Sequence, residues 1–214
     1  MNGRVTVRLA RPEADAPGIL SLYRPYIEQT AITFERDVPT REEFTARVRS
    51  IAEAFPYLLL EIDGELAGYA YAHRQAERAA FDWNAELSIY LSEAWAHRGL
   101  GGPLYALLMR LLAMQGYINF YAVITGSNAG SIAMHERMGF ARIGLHERTG
   151  YKLGQWHDVV WMHRRVGGDV PGRLVPVGAL SPEAVGREIK ETEAEIEEKL
   201  RICQAKTLDR WSDL

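Results

Sequence analysis

The stretch ELSIYLSEAWAHRGLGGPLY at residues 86–105 determines the fold that we predict for this chain. It begins with an apolar segment typical of a β-strand, continues through a glycine-rich turn and ends at the start of a leucine-rich helix. Such a turn exposes main-chain N–H groups at a helix N-terminus, where the helix dipole also favours negative charge. The stretch therefore predicts a site for a pyrophosphate group.

The composition sets the class of protein. The chain has 214 residues, 47% of them hydrophobic and 25% charged, with a formal net charge of −3. These values predict a globular protein with one domain of ordinary size, and they disfavour nucleic acid as a partner, which would need a basic excess. The charged N-terminus and the lack of a long apolar run predict neither a signal peptide nor a membrane partner. We therefore expect a cytoplasmic protein.

The sequence offers little to hold a metal. A single cysteine, Cys203, excludes an intramolecular disulfide and a zinc site built from cysteines. The six histidines show no ligand spacing. We expect Cys203 to be a buried thiol and the protein to need no metal.

Sequence signals ahead of the central stretch predict an antiparallel first half. Residues 5–9 alternate apolar and polar side chains, as a half-buried strand does. The strand-like runs 57–62 and 66–73 are joined by Asp63-Gly64, which favours a tight hairpin.

Two helices are expected beside these strands. The first covers residues 15–26 and should be disturbed at its end by Pro25, which has no N–H group. The second begins after Thr40, because TREE at residues 40–43 has the form of a capping box.

The chain after the glycine turn predicts a βαβ second half. Leucines recur at helical spacing over residues 104–112, Gly116 should end this helix, and 117–124 forms the next strand. Strand, helix and strand in this order imply a parallel pair with a right-handed crossover. Residues 140–145 and 156–164 are the last predicted strands, so the fold class is α/β with a mixed sheet.

The C-terminal part divides into a linker and a helix. Residues 166–180 are rich in glycine and proline and predict an irregular linker. Residues 181–214 predict a charged helical extension whose narrow apolar stripe packs either on the body or on a partner. The main domain is then 1–165.

Two segments carry a family resemblance. The order strand, glycine turn, leucine-rich helix and strand, followed by SNAGSIAMHERMGF at residues 127–140, resembles the GCN5-related N-acetyltransferases (GNAT). The segment GYKLGQWHDVVWMHR at 150–164 is similar to their phosphinothricin acetyltransferase branch. The resemblance covers residues 4–165. It implies a GNAT fold and transfer of the acetyl group of acetyl-CoA to the amine of a small amino-acid-like substrate, such as phosphinothricin or methionine sulfoximine or sulfone.

The resemblance also implies where the cosubstrate binds. The family holds the pantetheine arm on backbone groups of the strand before the turn, here Ile89, Tyr90 and Leu91, and the separation of this strand from the next parallel strand admits the arm. It holds the pyrophosphate on main-chain N–H groups of the turn, which here consists of His97, Arg98, Gly99, Leu100, Gly101 and Gly102. Glycine suits such a turn because a Cβ would hinder close backbone approach or a positive φ.

Three residues near this predicted site need separate comment. Asn128 matches the family asparagine near the β-alanine portion of the cofactor, and capping of a short helix, by Ser127 or Asn128, would also explain it. Ala96 stands where the family motif usually begins with Gln or Arg. Pro103, in the first helical turn, has no N–H to donate. We expect weakened or altered phosphate contacts but not loss of binding.

Catalytic roles follow from the same resemblance. An amino-acid amine is largely protonated at neutral pH, so a base must remove a proton before the nitrogen attacks. Glu86 matches the family carboxylate assigned this task, although outside the family it would read as a solvated glutamate. His135 occupies the position of the tyrosine near sulfur and is either the acid for the departing thiolate or a structural histidine. The N–H of Tyr90 or Leu91 should stabilise the oxyanion.

The predicted substrate site needs cations and aromatic walls, because phosphinothricin-type substrates are small and anionic. Arg78 matches a basic position of the branch. The further candidates are Phe34, Trp83, Tyr151 and Lys152. Relatives of this branch also imply a homodimer.

Two alternatives stay open from the sequence. The same fold could act on another amine, such as a polyamine, an aminoglycoside or a protein N-terminus. The chain could also be a non-catalytic acyl-CoA-binding module that engages a partner through its C-terminal helix. The presence of Glu86 argues against the second alternative.

Overall fold

A computed structural model of the chain describes residues 3–212, with side chains described as far as residue 203. Its described part contains a seven-stranded sheet of order β1-β2-β3-β4-β5-β7-β6. The strands are β1 (Val5–Leu9), β2 (Tyr57–Ile62), β3 (Glu65–Arg74), β4 (Asn84–Leu91), β5 (Asn119–Thr125), β6 (Ala141–Lys152) and β7 (Gln155–Arg165). The helices are α1 (Pro12–Gln29), α2 (Arg41–Ala54), α3 (Gly101–Gln115), α4 (Ala129–Arg137) and α5 (Pro182–Ser212).

The pairing of the strands confirms the predicted mixed sheet. The first four strands pair antiparallel in sequence order. Strand β4 then pairs in parallel with β5, and helix α3 forms the crossover connection between them. The β2–β3 hairpin turns at Asp63 and Gly64, which both have positive φ. The capping box at Thr40 is present, because its side chain and that of Glu43 each accept from the other's backbone N–H.

Helix α1 is longer than the sequence predicts. It starts at Pro12 and continues through Pro25 to Gln29. The expected disturbance at Pro25 was therefore wrong, because buried side chains on both sides of it, among them Tyr23 and Ile27, hold the helix on the sheet.

The sheet is covered on both faces. Helices α1 and α2 pack on one face around Tyr57, Leu59 and Tyr69. Helices α3 and α5 pack on the other, where the leucines of α3 are buried. Gly116 ends α3 with a φ of 98°, as the sequence predicted.

The C-terminal helix packs on the body. The side chains of Ile196 and Leu200 are buried in the same core as α3. Cys203, expected to be buried, is partly exposed instead. Its Sγ lies 3.8 Å from the carbonyl oxygen of Arg98 in the glycine turn.

Candidate active site

Strands β4 and β5 separate partway along their length. They pair only from Asn84 to Glu86, opposite Asn119 to Tyr121. Beyond Glu86 the strands diverge, and a cavity of about 60 Å³ lies between them. Backbone groups of β4 that face this gap have no partner on β5 and can receive an extended ligand.

The register of β3 and β4 determines which N–H groups face the gap. The N–H of Ser92, just after β4, donates to the carbonyl of Ala67 in β3, at 2.8 Å. Because N–H groups alternate between the two sides of a strand, that of Tyr90 also points toward β3, and those of Ile89 and Leu91 point toward the gap. Of the two N–H groups that the sequence left open for the oxyanion, only that of Leu91 therefore faces the gap.

The glycine turn lies directly beside this strand. A Cβ at Gly101 would come within 3.4 Å of the side chains of both Ile89 and Leu91. His97 and Gly99 have φ values of 61° and 76°. The positive φ that was expected only of glycines in this turn therefore also occurs at His97.

The start of α3 has donors to offer. Its N-cap, Leu100, makes no side-chain capping hydrogen bond. The N–H groups of Gly101 and Gly102 precede the first intrahelical bond and have no acceptor within the helix. Both glycines line an open cavity of about 700 Å³, together with His97 and Gly99. Unpaired donors at a positive helix end suit a pyrophosphate, so these residues fit the expected cosubstrate.

Other residues of the turn point elsewhere. The guanidinium of Arg98 lies 4.8 Å from the centre of the Trp95 ring. Leu100 is fully buried in the core. Pro103 is the third residue of α3, as expected, so one donor is missing from the first turn.

Asn128 caps α4 and also lines both cavities. Its side-chain oxygen accepts from the N–H of Ser131 at 3.2 Å, and the residue borders both the gap between the strands and the larger cavity. The two readings of Asn128 are thus compatible, because its side-chain nitrogen can still donate to a ligand.

Glu86 stands where β4 and β5 begin to diverge. Its side chain is 21% exposed, and its Oε1 lies 3.7 Å from Nε2 of His73. Burial raises the pKa of Glu86, and the charge of His73 partly opposes that rise. A raised pKa suits a carboxylate that must accept a proton near neutral pH.

His135 is buried beside the strand gap. Its Nε2 is 2.9 Å from the Tyr105 hydroxyl and its Nδ1 is 2.8 Å from the Ser131 carbonyl. Burial lowers the pKa of His135, and the bond to Ser131 opposes this. Both ring nitrogens are therefore engaged, and the neutral imidazole is favoured.

The predicted substrate residues on the β6–β7 side have different surroundings. The Nζ of Lys152 is buried and donates to the carbonyls of Thr33 at 2.7 Å and Tyr26 at 3.4 Å, so this cation anchors the loop after α1. Phe34 lies in that loop, and its ring fills the space above Gly150, where a Cβ would approach within 2.2 Å.

Tyr151 is half-exposed and stacks edge-on against Trp156. The structure thus joins the loop of Phe34 to the β6–β7 hairpin, but it shows no contact between Tyr151 or Lys152 and Glu86.

The two candidates before β4 also differ from each other. Arg78 is exposed at the start of a short 3₁₀ turn, Ala79–Phe81. The indole N–H of Trp83 donates to the carbonyl of Gly172 at 2.7 Å. Trp83 therefore secures the C-terminal linker in this structure and does not line either cavity.

The structure adds residues that the sequence did not single out. His73 and Tyr71 on β3 lie opposite Glu86 and Ser88 on β4. Burial raises the pKa of Tyr71, and a hydrogen bond to Ser88 lowers it. Only the cross-strand register brings these groups together, and no local signal fixes that register in the sequence.

The strand gap, the donor-rich helix start and the partly buried carboxylate define an enzyme that uses an acyl-CoA. The family model described as "Acetyltransferase (GNAT) domain" matches residues 7–161. The chain belongs to this family and is an acetyl-CoA-dependent N-acetyltransferase. The resemblance drawn from the sequence is thereby confirmed.

Named relatives support the same branch. The chain is 33% identical to the phosphinothricin N-acetyltransferase of Streptomyces viridochromogenes over 71% of its length and 82% of that protein. It is 32% identical to the L-methionine sulfoximine/L-methionine sulfone acetyltransferase of Pseudomonas paraeruginosa over 70% and 88% of the two chains.

A solved structure agrees with this relationship. The GNAT superfamily phosphinothricin acetyltransferase from Sinorhizobium meliloti, in complex with acetyl-CoA, aligns with a TM-score of 0.74 and 32% identity. The alignment covers 84% of this chain and 97% of that one.

The described residues offer neither a metal site nor a membrane-spanning helix. Among the described residues no group of three or more His, Cys, Asp or Glu side chains is placed to hold a metal ion. Within residues 3–212 no helix has the length and apolar character needed to cross a membrane.

Proposed function

We propose that this enzyme acetylates the amine of a small anionic amino acid of the phosphinothricin or methionine sulfone type, with Glu86 as the general base. The observation that carries the proposal is the position of Glu86. Its partly buried carboxylate stands where β4 and β5 start to diverge, beside the gap expected to hold the thioester arm.

In this mechanism Glu86 accepts a proton from the substrate ammonium, directly or through one water. The N–H of Leu91 faces the gap and donates to the oxygen that becomes negative as the amine adds. The N–H groups of Gly101 and Gly102 hold the pyrophosphate and so fix the acyl group relative to the strand.

His135 is the proposed donor of a proton to the departing thiolate. Its geometry sets a condition on this role, because Nε2 already contacts the Tyr105 hydroxyl. The neutral ring carries its one proton on Nδ1, which donates to the Ser131 carbonyl. Proton delivery from Nε2 therefore requires His135 first to take up a proton, and then the bond to Tyr105 to break or the hydroxyl to act as a relay.

For the acidic group of the substrate we propose Arg78 as the main cation. It is exposed and lies in the connection between β3 and β4, immediately before the 3₁₀ turn Ala79–Phe81. Phe34 supplies an apolar wall from the loop after α1. Lys152 is a weaker choice, because its ammonium group is already bound to two carbonyl oxygens.

We also propose that the enzyme is a homodimer. The edge strand β6 and its hairpin to β7 expose large apolar side chains, each about half accessible: Ile143, Leu145, Tyr151, Leu153 and Trp156. Exposed apolar groups concentrated on one edge are typical of a protein–protein interface. Sedimentation of the wild type and of Trp156→Ser tests this, and a wild-type monomer at micromolar concentration would refute it.

The substrate assignment is tested by competition among amines. The purified enzyme is mixed with acetyl-CoA, and release of free thiol is followed with phosphinothricin, methionine sulfone, spermidine, kanamycin or a peptide N-terminus. We expect kcat/KM to be at least about 10²-fold higher for the amino-acid analogues, because they carry an acidic group close to the amine for Arg78 to bind.

Two outcomes would change the assignment. A preference for spermidine, kanamycin or the peptide would assign the same chemistry to another amine. Binding of acetyl-CoA without turnover of any amine would support the non-catalytic alternative.

A further inference from the structure

The C-terminal helix α5 reaches the cofactor cavity from outside the family domain. The family match ends at residue 161, and α5 begins only at Pro182. Yet Glu195 and Lys199, one helical turn apart on α5, line the same cavity of about 700 Å³ as Gly101 and Gly102.

Packing fixes the position of this helix. Ile196 and Leu200 are buried on the body, and the carboxylate of Glu193 accepts from the N–H of Val7 at 2.8 Å. On the side of α3, Arg110 donates to the hydroxyl of Thr192 at 2.9 Å. The cavity-facing side chains of α5 therefore project from a fixed backbone.

The helix also contacts the glycine turn itself. Cys203, one turn beyond Lys199, places its Sγ 3.8 Å from the carbonyl of Arg98. Lys199 thus lies between this contact and the buried Ile196, on the stretch of α5 that lines the same cavity as Gly101 and Gly102.

The charge of Lys199 is held loosely in this structure. Its Nζ lies 3.6 Å from Oε1 of Glu195, and the two side chains are 40% and 52% exposed. An ion pair this exposed contributes little to stability. If Lys199 leaves Glu195 to bind a phosphate, the new ion pair is stronger, because a phosphate carries more charge and offers more acceptor oxygens than a carboxylate.

The turn also lacks two groups that a cation would replace. Ala96 supplies no long polar side chain, and Pro103 supplies no N–H. We propose that Lys199 binds a phosphate group of coenzyme A, so that the C-terminal helix completes the cofactor site. The inference goes beyond the proposed function, because it rests on acetyl-CoA use alone and not on Glu86 or the amine.

Calorimetric titration with coenzyme A tests the proposal without any amine. Lys199→Gln should raise Kd roughly tenfold, the expected loss of one charge-assisted hydrogen bond. Lys199→Arg should bind within about threefold of the wild type, because the cation is kept. Lys190→Gln is the matched control, since Lys190 is exposed on the same helix and lies outside the cavity.

Dephospho-coenzyme A, which lacks the 3′-phosphate, identifies the phosphate concerned. If the effect of Lys199→Gln disappears with this ligand, Lys199 binds the 3′-phosphate; if the effect persists, it binds the pyrophosphate. Thermal melts of each variant check that α5 remains folded. Unchanged affinity of a folded Lys199→Gln for both ligands would overturn the proposal.

Discussion

Glu86 and His73 lie opposite each other on neighbouring antiparallel strands, with Oε1 and Nε2 3.7 Å apart. Two opposing effects act on the carboxylate. Burial raises the pKa of Glu86, and the charge of His73 lowers it. His73 therefore tunes the proposed base, because its charge lowers the proton affinity that burial gives to Glu86.

The first prediction concerns the base itself. Glu86→Gln should lower kcat by about 10²-fold or more, since the amide cannot accept the substrate proton. Affinity for coenzyme A, measured by calorimetry, should stay unchanged. Glu65→Gln, an exposed glutamate at the start of β3, is the control. If Glu86→Gln kept the kcat of the wild type across the pH range, Glu86 would not be the general base.

The second prediction concerns His73. His73→Gln removes the charge that lowers the pKa of Glu86, so that pKa rises further. A base works only when deprotonated, and the acid limb of the kcat/KM profile should therefore move to higher pH. His146→Gln, on the exposed edge strand, should leave the limb in place. A limb that moves to lower pH in His73→Gln would contradict the coupling.

The third prediction tests the close approach of β3 to β4. A Cβ at Gly68 would lie 2.4 Å from the Leu91 side chain and 2.8 Å from the Tyr90 carbonyl oxygen. The side chain can rotate, but the carbonyl moves only with the strand. Gly68→Ala should lower the free energy of unfolding by about 1–3 kcal/mol and raise KM for acetyl-CoA.

Its control is another glycine-to-alanine change. At Gly186 in α5 an added Cβ meets nothing within 4 Å. Gly186→Ala should be neutral or stabilising by up to about 1 kcal/mol. Denaturant unfolding measures both variants, and equal stability of the two would show that β4 tolerates the shift.

The fourth prediction concerns the missing donor of α3. Pro103 is the third residue of the helix, where other residues would present an unpaired N–H to the cavity. Pro103→Ala restores this donor and should lower Kd for coenzyme A by roughly threefold to tenfold, the net worth of one hydrogen bond. Pro25→Ala in α1 should leave Kd unchanged. Weaker binding of coenzyme A by Pro103→Ala would mean that contacts of the proline ring with the ligand contribute more than the restored N–H donor.

Local signals account for much of the fold. The turn at Asp63 and Gly64, the capping box at Thr40 and the helix end at Gly116 each depend on a few adjacent residues, and each was readable from the sequence. Helix α1 was predicted over residues 15–26, but its continuation through Pro25 to Gln29 was not, because tertiary packing outweighs the local cost of Pro25.

The edge strand β6 also departs from prediction. It runs to Lys152, well beyond the predicted end at residue 145, and its register shifts between His146 and Gly150. Its residues are nearly all exposed, so the alternation of apolar and polar side chains that marks a buried strand is missing.

The candidate site was only partly readable. The glycine turn and Glu86 belong to one stretch of chain, so their proximity follows from sequence. His73 reaches Glu86 through the β3–β4 register, and an irregular connection at residues 75–83 separates those strands. Lys199 reaches the cavity across the linker at 166–181, whose path no local signal determines.

The final prediction concerns the buried imidazole of His135. Burial lowers its pKa below the value of about 6.5 expected in the unfolded chain. The unfolded state therefore binds more protons than the folded state as pH falls below about 6.5. The contribution of neutral His135 is fully present above that pH and is lost progressively as pH falls toward the lowered folded pKa.

His135→Asn removes this titration. The variant should be less stable than the wild type at pH 8, because the Tyr105 hydroxyl loses its partner. Between pH 7 and 5, however, its free energy of unfolding should fall less steeply, by up to about 1.4 kcal/mol per pH unit for one proton. Urea unfolding at several pH values measures the difference, with His146→Asn as an exposed control. Parallel curves for wild type and His135→Asn would contradict the prediction, because they would show that the imidazole binds a proton as readily in the folded as in the unfolded chain.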